Sequence, residues 1–156
     1  MKICKNNLFQ YYFVIGVVVI VLIALGVWSV VNLGYKAKDA ERISDMNVLK
    51  IAMSIIHKET GDYLSSSCTN GLVSDCSKVV NKLVEELPVL EDFHDPDYRK
   101  GDLPCSAECS AEVCDYAFVD VSEDDYKVYF KLRKGVLDYE VGCYQLTSQG
   151  IAKINK

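Results

Sequence analysis

The stretch that most restricts the fold runs from Phe13 to Val31, FVIGVVVIVLIALGVWSVV, and holds no charge, no proline and one serine. With Tyr11, Tyr12, Asn32 and Leu33 at its ends it reaches about 20 apolar residues, the length a helix needs to cross a hydrocarbon core. Tyr11, Tyr12 and Tyr35 are spaced to sit at the two interfaces. A cleaved secretory signal has a shorter apolar region, about 7–15 residues, ending in a small-residue cleavage site. This run is longer and leads straight into a patterned segment, so it reads as a membrane anchor. The rest of the chain then has to fold outside the bilayer.

Charge and cysteine say where. All 22 acidic residues follow the run, with all but Lys2 and Lys5 of the 17 basic ones, so the outer part is acidic. That balance argues against nucleic acid as a partner and against docking on anionic lipid. The basic residues flanking the run (Lys2 and Lys5 before it; Lys36, Lys38 and Arg42 after it) nearly tie under the positive-inside rule. Cysteine breaks the tie. Cys68, Cys76, Cys105, Cys109, Cys114 and Cys143 all follow the run. An even set in a small domain reads as a disulfide framework and calls for an oxidising compartment. The expected order is therefore a short cytoplasmic N-terminus at 1–10, a transmembrane helix at 11–33, and an extracytoplasmic head at 34–156. Cys4 falls on the cytoplasmic side as a free thiol.

Beyond the run, apolar residues recur at Ile43, Met46, Leu49, Met53 and Ile56, with Ala52 and Ile55 widening the stripe. This is the period of one helix face. Glu41, Asp45, Lys50 and Ser54 fall on the opposite face. No proline interrupts residues 13–58, so the two patterns read as one helix of about 70 Å at 1.5 Å per residue. His57 and Lys58 suit its last turn and Gly61 its C-terminal stop.

Residues 61–115 read as a Cys-containing loop region. It holds a short helix at 77–87 closed by Pro88 and a turn-rich tract, EDFHDPDYRKGDLP, at 91–104. Strand patterns fill 116–156. YAFV at 116–119 is the first. In DYKVYFKLRK, Tyr126, Val128, Phe130 and Leu132 alternate with Lys127, Tyr129, Lys131 and Arg133, a period of two with one buried and one wet face. KGVLDYEVG makes a turn into CYQLT. The expected fold class is α+β: a long N-terminal helix packed on a small antiparallel meander of three or four strands.

These residues resemble type IV pilins and the pseudopilins of type II secretion. The likeness rests on the apolar helix running unbroken into an amphipathic one and on KAKDAERISDMNVLKIAMSIIHKETGDYL, with its R-x-x-D and its G-x-Y stop. It rests also on the later order of loop, DPDY turn, YKVYFKL and GCYQLTSQGI. The resemblance implies a four-stranded antiparallel sheet on the helix and a last loop closed by a disulfide. It further implies a non-catalytic subunit that assembles with other pilin-like subunits through its N-terminal helix into a pilus-like or pseudopilus filament. Two features depart from the family pattern: no glycine precedes the apolar run, and no acid occurs before Asp39. They go with a second reading, a permanently anchored surface binding or adhesion module of the same fold.

The chain shows little that reads as catalytic. It has no C-x-x-C, no Gly-rich phosphate loop and no serine or cysteine triad, and His57 and His94 read as surface or capping residues. Cys105, Cys109 and Cys114, spaced C-x3-C-x4-C, could hold zinc with Cys143, but disulfides are the expectation. Cys68–Cys76 is the expected local loop, with the other four stapling the Cys-rich segment to the last strands. Cofactors are expected to be none. The acids Asp92, Asp95 and Asp97, and Glu123, Asp124 and Asp125, are weak oxygen donors for calcium. Tyr129, between Lys127 and Lys131 on the wet strand face, is the best contact residue.

Overall fold

The computed structural model describes residues 4–64, 68, 71–75, 93–108 and 113–154, with side chains from residue 11 onward. The expected short helix at 77–87, Cys76, Cys109 and Asp92 lie outside the described residues. One helix, α1 (Cys4–Thr60), is followed by five strands: β1 (Gly71–Leu72), β2 (Ala117–Val121), β3 (Tyr126–Leu132), β4 (Gly142–Thr147) and β5 (Gly150–Lys153). The chain divides into two compact units, Met1–Tyr35 and Lys36–Lys156.

The first unit is helix alone. Its apolar side chains are exposed along their length, Trp28 at 67% and Val30 at 70% among them. In water such a surface is unfavourable by roughly 25 cal/mol for every Å². The helix is long and apolar enough to cross a membrane, where that surface meets lipid and each backbone group is satisfied inside the helix.

The second unit is an α+β head. Its part of α1 buries Ile43, Met46, Leu49, Ala52, Met53 and Ile56, and Ile55 packs at the edge of the same cluster. The 3.6-residue period places these side chains on one stripe. The helix ends at Gly61, whose φ of +90° suits a residue without Cβ and whose N–H donates to the His57 carbonyl at 2.8 Å. Thr60 Oγ1 donates to the Ile56 carbonyl at 2.8 Å, satisfying another late acceptor.

The sheet runs in sequence order, β1-β2-β3-β4-β5, with every neighbouring pair antiparallel. In β3 the alternation is complete: Tyr126, Val128, Phe130 and Leu132 are buried, while Lys127, Tyr129 and Lys131 are half-buried. Tyr144 and Leu146 of β4 continue the inner face, and one core cluster joins it to the helix stripe.

Five strands replace the three or four expected. The extra ones are short: β1 is two residues in the loop after the helix, pairing Gly71 with Phe118 and Leu72 with Ala117. Strands of that length carry no alternation to detect. The first long strand also starts one residue later than expected. Tyr116 stands just outside it, and its N–H donates to the Asp115 carboxylate at 2.9 Å instead of to a strand neighbour.

The connection from β3 to β4 forms a strap, residues 133–141. Val136 and Tyr139 exchange two backbone hydrogen bonds, 2.9 and 3.0 Å, around a two-residue tip of Leu137 and Asp138. Leu137 takes φ +54°, the left-handed region, at the first central position of the turn. Glycine is the usual residue there, and an L side chain in that region costs about 1–2 kcal/mol. Gly135, φ +76°, is required in turn: a Cβ there would lie 2.6 Å from the Tyr139 carbonyl oxygen.

Cys105 and Cys114 are joined in a disulfide across nine residues, so these two are paired within the Cys-rich segment and not to the last strands. Cys68 is disulfide-bonded as well, and so, separately, is Cys143. Closing so short a loop stabilises by about 2–3 kcal/mol in the chain-entropy account. Cys105→Ser with Cys114→Ser should lower head stability by that amount in denaturant titration. An unchanged midpoint would mean that the isolated bridge constrains nothing the fold does not already hold.

Candidate functional site

The helix turn below the apolar stripe carries Lys38, Asp39 and Arg42. Sequence periodicity marks such residues as a solvated face, yet Asp39 is 0% and Arg42 1% exposed. The reason lies far along the chain. The Arg42 guanidinium is gripped along one edge by both oxygens of Asp95: Nε donates to Oδ2 at 2.6 Å and Nη2 to Oδ1 at 2.7 Å. Nη2 also donates to Asp97 Oδ2 at 2.8 Å, and Nη1 to Asp39 Oδ1 at 2.6 Å. Lys38 Nζ and Arg133 Nη1 close on Asp97 from outside. Three cations meet three carboxylates. A buried guanidinium matched edge to edge by carboxylates is the geometry in which the attraction can offset the loss of water.

Two of these carboxylates, Asp95 and Asp39, also hold backbone. Asp95 opens the DPDY turn. The Tyr98 N–H donates to its carbonyl at 2.7 Å and the Asp97 N–H to its side chain at 2.8 Å. Pro96 presets φ at the second position of that turn. Asp39 accepts from Lys134 N at 2.7 Å and Gly135 N at 2.8 Å through Oδ2, and from Arg133 N at 3.0 and 3.1 Å through its two oxygens. Three otherwise orphaned N–H groups at the start of the strap are thus satisfied by one helical residue. Behind the turn, Asp115, 0% exposed, accepts from Asp95 N and Tyr116 N, both at 2.9 Å. Its Oδ2 lies 2.6 Å from His94 Nδ1, and the His94 ring stacks on Tyr98 with centroids 4.1 Å apart. The chain of contacts runs Asp115, Asp95, Arg42, Asp39, strap. It fastens a helix, a turn and a strand connection that are distant in sequence.

The electrostatics follow. Burial disfavours the Arg42 charge, but Asp95, Asp97 and Asp39 outweigh it and hold the guanidinium protonated. Burial also pushes Asp97 up, and hydrogen bonds from Lys38, Arg42 and Arg133 win, pulling it down to about 2. Asp45 is the exception. It stands half-buried one helical turn after Arg42 and accepts the Tyr116 hydroxyl at 2.8 Å, so it does not lie on an open face with Glu41. Burial raises its carboxyl from the ordinary 3.8 to about 6, with Glu41 and Asp95 adding to the rise against the Tyr116 hydrogen bond and Arg42.

A folded-state value above the unfolded one means a contribution fully present below about 3.8 and lost as pH rises through about 6. Asp45→Asn should therefore raise the thermal midpoint at pH 7 and leave it nearly unchanged at pH 4. Equal effects at both pH values would show that Asp45 ionisation is not penalised.

The other singled-out residues are placed as follows. Ile43, Met46, Leu49, Met53 and Ile56 lie in the core. Asp95 and Asp97 turn their oxygens to Arg42, Lys38 and Arg133, partners that a calcium ion would have to displace. Asp125 accepts the Ser148 N–H at 2.9 Å. Two of the four cysteines weighed for zinc, Cys105 and Cys114, are oxidised together. His57 packs on Tyr63, with ring centroids 4.5 Å apart. Lys127 pairs with Asp120 across β2 and β3, and Tyr129 faces Gln145 in the sheet register.

Periodicity missed Asp39 and Arg42. The available signal was an acid and a base three apart beside Ile43, the spacing at which helix side chains meet, together with the acid-rich DPDY turn. No family model, curated protein or solved structure matches this chain.

Proposed function

We propose that this chain is a non-catalytic, membrane-anchored structural subunit of pilin-like type. Its N-terminal helix holds it in the bilayer and packs against the same helix of other subunits in a pilus-like or pseudopilus filament. The head stands outside the cell membrane. The observation that carries this reading is the 57-residue helix Cys4–Thr60. Its apolar N-terminal part has no covering partner within the chain among the described residues, and its later part is the spine of an α+β head. The packing surface would be the apolar side chains between Val14 and Val31. The buried cluster supports the same reading: its donors and acceptors are used in fastening segments together, which suits a head that must stay rigid under lateral packing.

The absence of any acid in the first helical turn favours one alternative. A buried acid in a membrane segment is costly and kept for a purpose, and in the family this chain resembles that purpose is subunit assembly. The alternative is a surface binding module that stays anchored as a single chain.

The intact mass of the protein from its native cells, read beside its presence in a sheared surface fraction, separates the two. A shortened chain in the sheared fraction is the filament outcome. A full-length chain confined to membranes overturns it and leaves the anchored module.

A further inference from the structure

We infer that the strap is a contact between two copies of this chain: the Leu137 tips meet about a two-fold axis, with Lys134 of each copy facing Asp138 of the other. Leu137 is 86% exposed, the highest value for a large apolar side chain among the described residues, and Val141 at the end of the same strap is 53% exposed. Leu137 also holds the left-handed conformation, φ +54°, at a tip where glycine would relieve the strain. Backbone outliers of this kind persist where the surroundings over-determine them, and they gather at functional positions.

The surroundings here are firm. Asp39 holds the N–H groups of Arg133, Lys134 and Gly135. Tyr139 packs on Tyr144 with centroids 5.7 Å apart, and the Tyr144 hydroxyl donates to the Glu140 carbonyl at 2.8 Å. The leucine stands on a fixed base, so a partner gains its side chain without first ordering a loop.

Charge selects the partner. On and beside the strap, Lys134 and Lys153 stand against Asp138 and Glu140, two cations and two acids, all exposed. Glu140 and Lys153 pair with each other at 2.7 Å. Lys134 and Asp138 are left over: among the described residues neither side chain makes an ion pair. A wholly acidic or wholly basic surface would meet as much repulsion as attraction here. A second copy does not. Turned by a two-fold, it brings its Asp138 to Lys134 and its Lys134 to Asp138, because such a contact sets residue i on j and j on i. The apolar tips then lie at the axis with one charge pair on either side, an apolar centre with a polar rim.

A contact this small falls well short of the about 1,200 Å² buried by a stable free-standing complex. It therefore acts where copies are already concentrated, as chains sharing one membrane or one micelle are. The inference goes beyond the filament and does not rest on it. A two-fold closes a pair, whereas a filament repeats one head-to-tail contact.

The test is sedimentation equilibrium of the full chain in density-matched detergent, at falling ratios of detergent to protein. The wild type is expected to associate into pairs. Lys134→Glu and Asp138→Lys should each weaken the pairing several-fold, since each sets like charges against one another on both sides of the axis. The two changes shift net charge in opposite directions. The double variant should recover the pairing, and so should an equal mixture of the two single variants, in which every facing pair is again opposite in sign. Lys58→Glu, at an exposed position in the last turn of α1, should leave it unchanged. Leu137→Gly should weaken it while keeping or raising the thermal midpoint, which separates loss of contact from loss of fold.

A wild type that stays single at the lowest ratio overturns the proposal. Pairing left intact by Leu137→Gly and by both charge variants overturns it in favour of contact through the apolar helices alone. Single-variant losses that neither the double variant nor the mixture restores overturn the reciprocal arrangement. A loss with Lys58→Glu equal to that with Lys134→Glu also overturns it, because net charge alone would then set the pairing.

Discussion

Replacing Arg42 with methionine should cost the head about 3–5 kcal/mol, the range for removing one partner of a buried ion pair. The side chain keeps most of its length, so the effect comes from charge. Asp39, Asp95 and Asp97 would face one another with their common cation gone, leaving Lys38 and Arg133 to answer Asp97 from the rim. The loss should shrink as pH falls and the carboxylates take up protons. Arg42→Met combined with Asp95→Asn should recover part of it, because one uncompensated charge is removed with the guanidinium. Urea titration of the full chain in detergent, followed by near-ultraviolet circular dichroism of the tyrosines, reads all three. A single-variant loss below about 1 kcal/mol would place the cluster in the class of exposed ion pairs.

Leu49→Asp should do at least as much damage by the opposite route. Leu49 is 1% exposed and packs among the stripe residues and the inner face of the sheet. A carboxylate there has neither water nor a cation. Unpaired charges in a core belong to the small class of substitutions that exceed about 4 kcal/mol, which for a head of this size lowers the thermal midpoint by about 15 °C or more. Ile51, two residues on and 56% exposed, supplies the control. Ile51→Asp should stay within about 0.5 kcal/mol of the parent. Equal behaviour of the two variants would contradict the placement of the stripe.

The contrast between these two sites shows what a single sequence discloses. The stripe was legible because helix periodicity is local: Ile43 to Ile56 announce their face by spacing alone. The alternation in Tyr126–Leu132 was legible for the same reason. The polar cluster was not. Arg42 and Asp95 are 53 residues apart, and Asp39 and Gly135 are 96 apart. The acid and base three apart beside Ile43 hint at a pair, but nothing local says that Asp39 and Arg42 will both be covered. Burial of charge is decided by the partner, and the partner is decided by topology. Strand β1 escaped for a related reason, since two residues hold no period and are defined only by their neighbour in β2. The direction of the Cys105–Cys114 bridge was equally out of reach, because spacing permits many pairings and only the fold selects one.

The sheet order has a consequence in time. Strands β2 to β5 are consecutive in sequence and in space, so each pairs with a segment only a turn away. Such local contacts form early, whereas contacts that close long loops form late. The hairpins of residues 117–153 should assemble before Asp39 and Arg42 find their partners. Interactions absent from the transition state act on the rate of unfolding and leave folding nearly untouched. The charge cluster then works as a latch that sets how long the head lasts once formed, not how quickly it arises. Until the latch closes, the helix waits with its stripe uncovered for the strands that follow it in the chain.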